Sequence, residues 1–112
     1  MPVVQIDYEG KEFSDSAMQE LCTALRVMVS EVVNLEPSET VVYARKYQIT
    51  AGTSPIEIYV NAGAGVITDD ATKLRITDTL IEKLKAYKAE HDLTMPFSLS
   101  IIKMDWKCSF DI

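Results

Sequence analysis

The stretch PVVQIDYEG (Pro2–Gly10) returns in outline as PIEIYVNAG (Pro55–Gly63), about half a chain later. Each begins with proline, runs through β-branched and aromatic residues, and closes on glycine at the ninth position. Each therefore predicts a β-strand ended by a turn. In the second copy Ile56, Ile58 and Val60 alternate with Glu57, Tyr59 and Asn61. That period of two is the pattern of a strand buried on one face.

The segments after the two glycines also match. After Gly10, Ser14 or Asp15 can cap a helix in which Met18, Leu21, Cys22, Leu25, Met28, Val29, Val32 and Val33 recur at three- and four-residue steps. This is one apolar stripe on an amphipathic helix. After Gly63, Thr68 or Asp69 can cap a second helix, with a stripe through Leu74, Thr77, Leu80, Ile81, Leu84 and Tyr87. Asp69 and Asp70 suit its positive start, and Lys83, Lys85 and Lys88 lie toward its negative end. A proline-containing loop comes after each helix, LEPSE around Pro37 and LTMPF around Pro96. Each leads into a further strand, TVVYARKYQI (Thr40–Ile49) and FSLSIIKMDW (Phe97–Trp106).

The order is β-α-β-β-α-β. The fold class expected is α+β: a two-layer tandem repeat with two helices on one face of a four-stranded sheet. The 112 residues read as a single domain, 1–112, built as a pseudo-repeat of two βαβ units at 2–54 and 55–112. A right-handed crossover makes the two strands of each unit parallel. In the last strand Ile101, Ile102, Met104 and Trp106 put apolar side chains on both faces. A sheet apolar on both faces calls for a second layer, which in so small a chain is another subunit.

Composition removes several functions. The net charge is −6, which argues against a nucleic-acid partner. No apolar run approaches the roughly 20 residues of a membrane span. No basic start leads into an apolar leader, so the cytoplasm is the expected compartment. Cys22 and Cys108 form no paired motif, and with His91 as the single histidine no metal site and no cofactor are expected. Cys22 reads as a buried reduced thiol and His91 as a cation at a helix end. The aromatic residues Tyr47, Tyr59 and Trp106 read as core or interface groups. NAGAG (Asn61–Gly65) lacks the spacing of a phosphate loop and reads as a turn.

Three short segments carry a resemblance. PVVQI (Pro2–Ile6), EGK (Glu9–Lys11) and LEPSETVV (Leu35–Val42), together with the opening Met-Pro, resemble the tautomerase superfamily, which includes 4-oxalocrotonate tautomerase and macrophage migration inhibitory factor. The first half matches segment by segment and the second half as architecture. The resemblance implies that Met1 is removed, that Pro2 becomes the catalytic base, and that the protein is a homotrimer with sites where subunits meet. It implies a tautomerase or isomerase performing keto–enol proton transfer on a small 2-oxo acid or related enol. Lys11 stands where the short members place an arginine that contacts a substrate carboxylate. Their second cation falls on Val42; Arg45 or Lys46, three or four residues on, could supply that charge, with Arg45 the preferred candidate. Arg45 and Lys46 alternate across a strand, and at most one of them faces a given pocket.

The chemistry behind this is simple. A free N-terminal amine has a pKa of about 7.7–8.0, and burial or a nearby cation lowers it. A neutral amine can then take a proton beside a carbonyl and return it elsewhere. The departures at Val42 and in NLEP, which lacks a lysine, motivate an alternative: a non-catalytic ligand-binding or interaction protein of tautomerase-like or ferredoxin-like fold.

Overall fold

The computed structural model describes residues 2–11, 13–52 and 56–104. Met1, Pro55, Trp106 and Cys108 lie outside them. The elements are β1 (Val3–Glu9), α1 (Asp15–Val33), a 3-10 turn (Pro37–Glu39), β2 (Val41–Tyr47), β3 (Ile56–Gly63), α2 (Asp70–Glu90) and β4 (Phe97–Met104). The sheet order is β2-β1-β3-β4. β1 runs parallel to β2, β3 runs parallel to β4, and β1 meets β3 antiparallel. Each parallel pair spans one helical crossover, as the repeat predicts.

Local chemistry sets the helix ends. Ser14, rather than Asp15, caps α1, its hydroxyl accepting from the Ala17 amide at 3.1 Å. Asp69 caps α2 by accepting from the Thr72 amide at 2.7 Å. α1 ends at Asn34, whose φ of 59° is the left-handed turn that stops a helix. Pro37 then opens the 3-10 turn. There Arg26 Nε donates to the carbonyls of Pro37 (2.8 Å) and Thr40 (3.0 Å). Buried Ser30 donates to the Arg26 carbonyl at 2.7 Å and lies 2.8 Å from Thr40 Oγ1. This polar clamp ties α1 to the start of β2. His91 caps α2 with its ring stacked on Tyr87, and its Nδ1 lies 3.0 Å from the Tyr87 carbonyl.

The core is the seam between helices and sheet. Val4, Ile6, Leu21, Leu25, Val29, Ile58 and Leu80 are fully buried in it. In α1 the expected stripe holds, with Cys22, Met28 and Val33 half-buried; burial pushes the free Cys22 thiol pKa up. In α2 the expected stripe holds at Leu80, Leu84 and Tyr87, with Thr77 and Ile81 half-buried, and fails at Leu74. Ile76, Leu80, Leu84 and Tyr87 face the core, and Leu74 is 59% exposed. Leu74 lies two residues from Ile76, about 200° around the helix, and so on the opposite side.

The face of the sheet turned away from the helices is more polar than the sequence suggests. Strand register and alternation place Gln5, Asp7, Arg45, Glu57, Tyr59 and Asn61 there, together with Val3, Val41, Tyr43, Tyr47, Ile102 and Met104. Ile101 turns to the helix side and packs against the core. Leu25→Ala is expected to cost about 2–5 kcal/mol, measured by chemical denaturation. Leu74→Ala should stay within about 0.5 kcal/mol of the parent.

Candidate functional site

Pro2 sits immediately before β1. Its ring is fully buried, continuing the inward series Val4, Ile6, Tyr8, and its carbonyl accepts from the Val41 amide at 3.4 Å. The antiparallel pairing of Val3 with Asn61 brings the end of β3 to the same end of the sheet.

Lys11 lies past the other end of β1. Seven strand residues at about 3.3 Å each separate the two ends by roughly 23 Å. Pro2 and Lys11 are therefore not brought together within one chain. Lys11 is 85% exposed at its side chain, and its Nζ lies 3.7 Å from Glu9 Oε1. It borders a cleft of about 490 Å³ that Lys46, Tyr47, Ile49 and Thr50 also line.

Arg45 belongs to neither end. It pairs in register with Asp7 at the middle of the open sheet face. Its Nε donates to Asp7 Oδ1 at 3.1 Å and its Nη2 to Oδ2 at 3.4 Å, a bidentate contact. The Asp7 side chain is only 9% exposed. Burial pushes its pKa up, but the Arg45 hydrogen bonds and charge, with hydrogen bonds from Gln5 and Tyr47, outweigh this and hold it below the ordinary carboxylate range. Tyr59 donates to Glu57 at 2.9 Å on the same face. Gln5, Asp7, Arg45 and Tyr59 border a recess of about 280 Å³ with Asn61 and Ile102. Val42, where the resemblance aligns a second cation, packs against the core.

Lys46 is the other cation that the sequence offers on this strand, and the structure gives it surroundings unlike those of Arg45. Alternation turns it to the helix side, beside Tyr8. Its Nζ donates to Asp15 Oδ1 at 3.0 Å, and the same oxygen accepts from Tyr8 Oη at 3.2 Å. The hydrogen bond and charge of Lys46, then the bond from Tyr8, hold Asp15 below the usual carboxylate range. The Lys46 stem lies across Gly10, where a Cβ would stand 2.5 Å from Lys46 Cδ. A Cβ at Gly10 would oblige the flexible Lys46 stem to shift. Gly63, its counterpart in the repeat, has open space at that position. The parallel register Tyr8↔Lys46 is the signal, and it is visible only once the two strands are paired.

Among the described residues no group of His, Cys, Asp and Glu is arranged to hold a metal ion. No described helix is long and apolar enough to cross a membrane.

With this geometry established, comparison with known proteins gives a one-sided result. No protein-family profile matches the chain, and no curated protein does. Solved structures do match. A 5-carboxymethyl-2-hydroxymuconate delta-isomerase superposes with a TM-score of 0.70 at 16% identity, covering 99% of this chain and 89% of its own. A macrophage migration inhibitory factor-like protein from Entamoeba histolytica gives 0.62 at 12%, covering 96% and 95%. A fused 4-OT described as an asymmetric trimer gives 0.66 at 14%, covering 91% and 85%. The chain has the fold of the tautomerase superfamily: two helices on a four-stranded mixed sheet in β-α-β-β-α-β order. At these identities the likeness is one of fold.

Arg45→Met strips the cation from a mostly buried carboxylate, so it should lower the melting temperature by a few degrees at neutral pH. The sign of the pH dependence comes from the depressed Asp7 pKa. Its contribution is full above the unfolded value of about 4 and is lost as pH falls through the lower folded value. Thermal melts of parent and variant should therefore differ most above pH 5 and converge in acid.

Proposed function

We propose that this protein is a member of the tautomerase superfamily that isomerises a small 2-oxo acid or related enol. In this reading Met1 is removed and the secondary amine of Pro2 is the general base. The observation that carries it is Pro2 itself, buried at the start of β1, on a fold shared with two proteins named as an isomerase and as a migration inhibitory factor-like protein. Burial disfavours the protonated amine and favours the neutral one. For an enol substrate, Pro2 nitrogen takes the hydroxyl proton and delivers it to the adjacent carbon, leaving the keto form. A base of this kind contributes about 10²–10⁴ in rate.

Lys11 would hold the substrate carboxylate and stabilise developing enolate charge. It lies at the wrong end of β1 to serve the Pro2 of its own chain, so a shared site needs a neighbouring copy. That geometry, together with the trimer reported for the fused 4-OT, supports a homotrimer that uses the open sheet face. Exposed Tyr43 and Ile102 on that face suit burial between copies. Arg45 faces the same interior, where it could supply a further positive charge. The cytoplasm is the compartment proposed.

A second reading has its own support. Arg45 is already committed to Asp7, and Lys11 lies about a strand length from the Pro2 of its own chain. A binding or interaction protein on the same fold would look like this.

Turnover of phenylpyruvate enol separates the two. Pro2→Ala should lower kcat/KM at least tenfold, and intact mass of the natively expressed protein should show loss of one methionine. Retention of Met1 in the native host, or unchanged turnover in Pro2→Ala, would falsify the catalytic reading. Sedimentation should give three times the chain mass of 12.5 kDa. A monomer at micromolar concentration would remove the shared site.

A further inference from the structure

Two adjacent cations on β2 have opposite surroundings. Arg45 is bonded through two nitrogens to a carboxylate that is only 9% exposed. Withdrawing Arg45 would leave that buried charge without its cation, which is strongly unfavourable. Lys46 is bonded through one contact to Asp15, whose side chain is 76% exposed. An exposed pair of this kind contributes little and is screened by salt. Asp15 also stands in the first turn of α1, where the helix N-terminus favours a carboxylate, and it keeps its bond from Tyr8. Asp15 can therefore give up Lys46 without being stranded.

The position of Lys46 is fixed by more than this ion pair. Its stem lies over the bare backbone of Gly10, so the side chain is already aimed past the end of β1. There it borders the cleft of about 490 Å³ that Lys11 also borders. Among the described residues Lys11 pairs with Glu9 at 3.7 Å, a single contact at a largely solvated lysine, and Glu9 borders the same cleft. Tyr47, Gln48, Ile49 and Thr50 line the rest of the cleft, with the Tyr47 hydroxyl already engaged by Asp7. Arg45 does not line it.

We propose that Lys46 exchanges Asp15 for the carboxylate of a bound organic acid and holds it together with Lys11. Lys46, rather than Arg45, is then the second cation of the ligand site. This rests on the reading of Lys11 as the carboxylate contact. It makes the anion-binding pair a product of strand register rather than of neighbours in the chain. No covalent step is involved: one ion pair is replaced by another, and Asp15 returns to water at the start of α1.

The test is a malonate titration of the full-length protein at low ionic strength, monitored by amide chemical shifts. Shifts should centre on Gly10, Tyr47 and Thr50. Lys46→Met keeps the stem over Gly10 and removes the charge, and it should weaken malonate at least fivefold. Lys46→Arg should restore affinity to within about twofold. Lys83→Met serves as the charge control, since Lys83 pairs with Glu31 on the helical layer and should leave affinity unchanged. The inference is overturned if Lys46→Met binds malonate within twofold of the parent. It is also overturned if Lys46→Met loses no more than Lys83→Met, or if the shifts lie elsewhere. Binding is read without turnover, so the two proposals fail separately. Lys46-dependent binding without phenylpyruvate turnover keeps this inference and removes the tautomerase. Pro2-dependent turnover with Lys46-independent binding does the reverse.

Discussion

The antiparallel pairing of β1 with β3 is the constraint on which the rest of the structure depends. It joins the two βαβ units along their first strands, matching Val4 with Val60 and Ile6 with Ile58. Those four residues are the floor on which both helices pack. Each unit alone has an apolar helix stripe and two strands, too little to bury it well. Placed side by side, the two units make one continuous sheet and one core. Because a strand alternates with a period of two, the same pairing fixes the opposite face. Gln5, Asp7, Tyr59 and Asn61 can only be there.

That alternation explains why neighbouring residues have unlike roles. Arg45 and Lys46 are both cations on one strand, yet one lies on the open face against a buried carboxylate and the other lies on the helix side over Gly10. The open face is accordingly not a bare apolar surface. Its centre is a bidentate ion pair with tyrosines around it, and its apolar members lie about that centre. Copies that pack through such a face would match polar groups as well as bury Tyr43 and Ile102. Register between copies would then be more narrowly specified than by hydrophobic contact alone.

The strand also acts as a spacer. Pro2 and Lys11 are nine residues apart in sequence, close by the measure of a motif. An extended chain turns that closeness into separation by the length of the strand. Residues far apart in sequence instead share a cleft, Lys11 with Lys46 and Tyr47, because a parallel crossover returns the chain alongside its own start.

Much of the fold is legible in the residues. The repeated PVVQIDYEG and PIEIYVNAG, the capped amphipathic segments and the proline loops are enough for the element order and for parallel pairing within each unit, since these come from local propensity and the handedness of crossovers. Leu74 is misplaced by the pattern because a sparse stripe fits more than one helical phase, and only packing against the sheet selects Ile76. Ser30 gives no signal, since its bond to Thr40 crosses a turn whose geometry no pattern records. For the candidate site the sequence by itself determined which residue types are present: a proline near the start, a lysine after the first strand, two cations on the second. The tertiary structure alone decided which of them meet. Register, alternation and burial set the partner of each charge, and these arise only when strands distant in sequence lie side by side.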